Sequence, residues 1–221
     1  MKVTTVYDSR GETNIVFADD VIGDSVEVLP PLSVHGHVRT LTGDRLAIVS
    51  ALLLGNALSG SLAVGRPVSI RVVTAIRRFL SDDSINFPHA TNVPLSVHSG
   101  SVELVVSAGG LETMKSPSQH GRRRLLFHEM PTHSSSGRLF TFDRMVVSTN
   151  SWIYSSKVLR LPVGSIESSL AVPVLMAQDL SVSKITMPSE MAHGRAAAEL
   201  RSLQRLLEST ELKLDIMGDT E

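Results

Sequence analysis

The stretch LAIVSALLL at residues 46–54 constrains the fold of this chain more than any other feature. Its apolar side chains, Leu46, Ile48, Val49, Leu52, Leu53 and Leu54, fall on nearly every face of a helix rather than on one stripe. A helix of that kind belongs in a core. Thr42 stands before it as an N-cap, and Asp44 places a carboxylate in the first turn, where it offsets the helix dipole. Gly55 and Gly60 end it or break it up. A membrane span needs roughly 20 apolar residues, so this segment predicts a buried helix.

The material available for that core is aliphatic. Apolar residues make up 42% of the 221 positions but aromatics only 4%, so Val, Leu and Ile must fill it, and two of these favour strands. A second helix is expected after Gly65-Arg66-Pro67, with the proline near its start. At 100° per residue, Val72, Ala75, Ile76, Phe79 and Leu80 share one face and Arg71, Thr74, Arg77, Arg78 and Ser81 the other. The segment is short and valine-rich, so a strand over residues 68–73 is the open alternative.

Strands are expected at residues 3–7, 14–18, 25–29 and 32–39, where β-branched residues lie between Gly and Asp clusters. Val93, Leu95 and Val97, then Val102, Leu104 and Val106, alternate around Ser99-Gly100, the pattern of a hairpin. Residues 109–137 read as loop. Strand signals return at 139–147, 152–161, 170–176 and 180–187. The expected architecture is a single α+β domain over residues 1–188, β-rich and mostly antiparallel, with two early helices. Residues 189–221 form a C-terminal amphipathic helix. In it Ala196, Leu200, Leu203, Leu207, Thr210, Leu214 and Met217 follow heptad spacing. Leu200, Leu203, Leu207 and Leu214 are the candidate contacts for self-association as a short coiled coil. Docking of that helix on its own domain is the alternative.

Chemistry is sparsely signalled. The chain has no cysteine, which excludes disulfides, thiolate metal sites and a cysteine nucleophile. HEMPTH at residues 128–133 resembles a zinc-protease helix, but its two histidines are five apart, about 140° around a helix, and Pro131 interrupts it. His35 and His37 share a strand face without a third ligand nearby. No nucleophile elbow and no glycine-rich phosphate loop is present. The expectation is a non-enzymatic protein with no metal, no cofactor and no small-molecule substrate. The opening MKVTTVYDSR lacks the apolar run of a secretion signal, so an intracellular protein is expected.

The charge pattern is the better lead. Net charge is −1, yet residues 31–80 carry +5 and residues 116–160 carry +5, and 16 of the 21 basic residues are Arg. Arg66, Arg71, Arg77 and Arg78 form one cluster, and Arg122, Arg123 and Arg124 another. The guanidinium fork suits phosphates, so both clusters are candidate contacts for RNA phosphates, nucleoprotein or anionic lipid headgroups. Few aromatics lie near either, which argues against base stacking.

SVEVLPPLSVHGHVRTLTGDRLAIVSALLLGNALSG, followed by GRPVSIRVVTAIRRFL and later SGSVELVVSA, resembles the core of rhabdovirus matrix proteins across residues 25–108. There a strand leads into an apolar helix, a Gly-rich link and a basic-Pro step open a second helix, and a strand follows a variable loop. The acidic residues 1–30 differ from the Lys-rich arm of that family, and Pro30-Pro31 lacks its following Tyr. The resemblance implies a self-associating virion component that bridges nucleocapsid and membrane, located in the host cytoplasm or nucleus. A viral cell-to-cell movement protein, with Asp143 in a strand region, is the alternative, binding RNA without sequence preference. A cellular interaction domain with a coiled-coil tail is a third.

Overall fold

The computed structural model describes residues 1–9, 11–18, 29–92, 100–107, 123–131, 138–141, 143–162 and 165–217. Strands β1 (Lys2–Tyr7), β2 (Thr13–Ala18) and β3 (Leu32–Val34) open the chain. Helix α1 (Gly43–Leu54) follows, then the two-residue strand β4 (Val68–Ser69), helix α2 (Ile70–Leu80) and β5 (Ala90–Thr91), which pairs with β4 in a separate small sheet. Next come β6 (Val102–Val106), β7 (Arg124–Pro131), β8 (Arg138–Phe140) and β9 (Arg144–Thr149). The chain closes with α3 (Ser151–Lys157), α4 (Ile166–Met176), β10 (Val182–Pro188), α5 (Ala197–Glu208) and β11 (Lys213–Met217).

The main sheet runs β1-β2-β3-β9-β7-β6-β10-β11, with β8 paired on β9. Its first strands are antiparallel, but β9-β7-β6-β10-β11 are all parallel. The fold is therefore an α/β single domain with a mixed, mostly parallel sheet, which corrects the expectation of a mostly antiparallel one. From β6 the order runs outward to β7 and β9, then returns to the other side of β6 for β10 and β11. Such a reversal requires long crossovers. Two supposed strands supply one of them: residues 152–161 and 170–176 lie largely in α3 and α4, between β9 and β10. A short apolar run looks the same in a buried strand and a buried helix, because neither has a polar face to set a period. Residues 109–137, expected as loop, contain β7. Residues 93–99, the expected hairpin arm, and most of the expected strand at 25–29 lie outside the described residues; β6 pairs in parallel with β7 and β10 instead.

All twelve residues of α1 are buried, and Thr42 accepts from the Arg45 N–H at 3.3 Å, so the opening expectation holds. α1 packs against α2, α3 and α4, and all eleven residues of α4 are buried too. Two polar side chains on α1 lock this layer. Asp44 accepts from the Ser69 N–H at 2.7 Å and from its hydroxyl at 2.9 Å, joining the start of α1 to the N-cap of α2. Arg45 donates from Nη1 to the Val174 carbonyl at 2.9 Å, near the C-terminus of α4, where orphan carbonyls collect. Burial lowers the pKa of that guanidinium to about 10. Gly43 is required here, since a Cβ would lie 2.0 Å from the Pro67 carbonyl oxygen. α2 starts at Ile70, capped by Ser69, and of the strand alternative over residues 68–73 only the two residues of β4 remain, while Val72 and Val73 belong to the helix.

The tail does not stand apart. α5 packs on α2 and on β11, and β11 extends the sheet in parallel beside β10. Leu203, Leu206 and Leu207 are buried, Leu200 is half-buried, and Leu214 is buried in β11 rather than on a helix. The expected single helix over residues 189–221 is thus a helix and an edge strand. Its leucines are used inside this chain because β11 needs α5 folded back over the sheet.

Candidate anion-binding surface

α2 sorts its side chains largely as its periodicity predicts: Val72 and Ile76 are buried and Ala75, Phe79 and Leu80 half-buried, while Arg71, Thr74 and Arg78 are exposed; Val73, assigned to neither face, is buried as well, and Arg77 is half-buried. The structure divides its arginines by partner. Arg66 donates to the Leu41 carbonyl, and Arg77 donates from Nε and Nη2 to the Ile85 carbonyl at 3.0 and 2.8 Å. Both therefore hold backbone. Arg71 donates from Nη2 to the Glu208 carbonyl at 2.5 Å, and with Arg78 it faces α5.

The exposed side of α5 meets them. Arg201 and Arg205 stand one turn apart on it, away from the buried leucines, and Arg71, Arg78, Arg201 and Arg205 line one groove of about 760 Å³. Ile70 and Glu208 complete its walls. The sequence reading missed Arg201 and Arg205. Their i, i+4 spacing opposite the leucines was the available signal; that they would face Arg71, 130 positions earlier for Arg201, had none.

A second groove, about 790 Å³, opens at the amino ends of β6, β10 and β11. Arg71 and Glu208 line it too, so the two grooves adjoin, and Arg123, Lys184, Lys213 and Glu211 join them there. The two arginine clusters of the sequence thus meet in space at Arg71 and Arg123. With Lys184 set aside, since Glu103 and Asp215 hold it, the grooves together present six basic side chains against two acidic ones, a formal +4.

Arg124 is not part of this surface. It belongs to β7, where its Nε bonds Glu103 at 2.6 Å. Lys184 Nζ lies 3.2 Å from Glu103 and 2.7 Å from Asp215, and the Thr186 hydroxyl donates to Glu103 at 2.8 Å. The result is a ladder of alternating charge across β7, β6, β10 and β11, set by parallel register on one sheet face. Burial pushes the Glu103 carboxyl upward, but the hydrogen bonds from Thr186, Arg124 and Lys184 outweigh it and hold it below the usual carboxylate range. Lys184, bonded to Asp215 and Glu103, is raised. Arg122 lies outside the described residues.

The HEMPTH segment ends β7. Strand alternation puts His128 and Glu129 on opposite sheet faces, and Thr132 and His133 lie outside the described residues. Glu129 is half-buried beside the start of α3 with its Oε1 shielded from water, it accepts from the Ser151 hydroxyl at 2.8 Å, and burial of the carboxyl pushes it up to about 8. His35 pairs with Glu12 at 3.2 Å, and the His37 ring lies 4.6 Å from that of Tyr7. Among the described residues no three His, Asp or Glu side chains converge on a common point, and no helix is long and apolar enough to cross a membrane. Asp143 is half-buried in the turn between β8 and β9, 3.2 Å from the Thr141 hydroxyl.

No protein-family model, no curated protein sequence and no solved structure matches this chain.

Proposed function

We propose that this chain is a non-enzymatic binding protein whose α2–α5 face holds the phosphates of RNA or nucleoprotein. The observation that carries this reading is the convergence of Arg71, Arg78, Arg201 and Arg205 on one groove, continued by Arg123 and Lys213 in the next. Cations that face each other across a concavity suit an anion that enters it. A bilayer is flat and would reach only the rim. Among the described residues the exposed large apolar side chains are Val6, Tyr7 and Ile70, too few for a membrane-inserting surface.

The reading fits a matrix-type virion protein at its nucleocapsid contact, and equally a viral movement protein that coats RNA. The matrix role also implies self-association and a membrane face. With Leu203 and Leu207 buried in the chain's own core, self-association would use another surface than the leucine seam. Fluorescence anisotropy with an RNA oligonucleotide, beside flotation with anionic vesicles, tests the proposal at about 50 and 200 mM salt. Some five phosphate contacts predict a loss of affinity of about a hundredfold between these conditions. Vesicle binding without RNA binding would move the assignment to the lipid headgroup. Binding to neither at low salt overturns it.

A further inference from the structure

The two grooves are not two sites. Arg71 and Glu208 line both, and the hydrogen bond from Arg71 Nη2 to the Glu208 carbonyl fixes that guanidinium at their junction. One donor nitrogen is engaged there, and a guanidinium has further N–H groups to offer. On the α2 wall Arg71 and Arg78 are seven residues apart, a row of about 10 Å along the helix. Arg201 and Arg205 form the facing row on α5. Past the junction the cations continue as Arg123 and Lys213, while Gly100, Ser101 and Ser183 supply a floor of small side chains. Gly100 keeps that floor tight, because the Ser181 carbonyl oxygen lies 2.0 Å from where its Cβ would be.

Flexibility selects what can follow this track. α2 and α5 are in direct contact, so the groove is a furrow over their seam and not a gap between them. A duplex is stiff over about 150 base pairs and touches such a furrow only where its own curvature allows. A single strand can lie along the furrow and turn past Arg71 into the next one. No aromatic side chain lines either groove, so bases are not stacked and the contacts are made by phosphates.

Resting on the phosphate reading above, we infer that the ligand is a single-stranded nucleic acid whose backbone runs through both grooves as one continuous track, passing Arg71 at their junction. The α2–α5 groove holds a short strand alone. A longer strand gains the phosphate contacts of Arg123 and Lys213. The track reads charge rather than bases, so binding is independent of sequence.

The experiment compares the full chain with Lys213→Glu/Arg123→Ala and with Lys213→Ala. Each is titrated with single strands of about 4 and about 16 nucleotides, and with a duplex of the longer length. The longer strand should bind the unaltered chain at least tenfold tighter than the short one. The double variant should lose that gain, weaken the longer strand far more than the short one, and flatten the salt dependence of the longer strand by about 1.4 in log–log slope. Lys213→Ala should lose part of the gain, and its thermal midpoint should match the unaltered chain. Unchanged long-strand affinity and slope in the double variant would overturn the continuous track while leaving the α2–α5 contact standing. A duplex bound as tightly as the single strand would overturn it as well. Binding of neither strand length would overturn both this inference and the phosphate reading.

Discussion

Arg71 and Glu208 are joined by one hydrogen bond, from Nη2 of the former to the backbone carbonyl of the latter at 2.5 Å. The contact ties the first turn of α2 to the last residue of α5. It makes Arg71 both a brace and a wall of the candidate site, and it separates the roles of the arginines around it.

That separation is measurable. Arg78→Glu should weaken polyanion binding about tenfold or more, with unfolding free energy changed by less than about 0.5 kcal/mol, because Arg78 is exposed on the groove wall. Arg77→Ala should do the reverse. It releases the Ile85 carbonyl from two donors and should cost about 1–2 kcal/mol of stability with little effect on binding. Arg71→Ala should lower both. Denaturant unfolding and anisotropy titration of the three variants check the order.

Glu129 makes stability depend on pH. Its carboxyl, ordinarily 4.5, is held up to about 8 by burial. Between those values the folded chain keeps a proton that the unfolded chain has released, so stability falls as pH rises through the window and levels off above about 8. The full span is on the order of 4–5 kcal/mol. His128, on the same strand, is lowered by burial, so its contribution is lost as pH falls below its ordinary 6.5, the opposite direction. The difference between the unaltered chain and Glu129→Gln cancels that contribution. This difference should grow in favour of the glutamine by about 1.4 kcal/mol per pH unit between 5 and 8. A constant difference from pH 5 to 8 would refute the assignment.

The charge ladder predicts a stability effect of its own. Glu103→Ala leaves Arg124 Nε and the Thr186 hydroxyl without their carboxylate, and Lys184 with Asp215 alone. The cost should be about 2–4 kcal/mol, at the lower end of what a buried pair loses, because Arg124 and Lys184 keep partial contact with water. Glu103 is held low in the fold, so its stabilisation is present above its ordinary 4.5 and fades as pH drops below that. Denaturant midpoints for Glu103→Ala and the unaltered chain should therefore converge in acid.

The tail offers a test between docking and coiled coil. Leu206 is off the heptad seam and fully buried, whereas Leu200 is on it and half-buried. Leu206→Ala should cost about 2–5 kcal/mol, and Leu200→Ala distinctly less. A larger loss at Leu200, accompanied by a concentration-dependent midpoint, would restore the coiled coil.

The sequence alone determined the elements whose side chains repeat with a clear period or cover every face. α1 had to be buried because no face of it is polar, and the arginine face of α2 was legible because its apolar face was. Strands β1, β2, β6 and β10 were visible from their β-branched runs. Only the tertiary structure decided which way the sheet runs. α3 and α4 are short, and α4 carries no polar stripe, so nothing local distinguished helix from strand; the placing of β9 and β10 in one parallel run, with β7 and β6 between them, did. The same holds for the candidate site. Each arginine's role depends on which backbone carbonyl or carboxylate reaches it, and the carbonyls of Leu41, Ile85 and Glu208 have no signature in the sequence. Arg71 came to face Arg201 and Arg205 because β11 joins the sheet beside β10 and brings α5 back against α2.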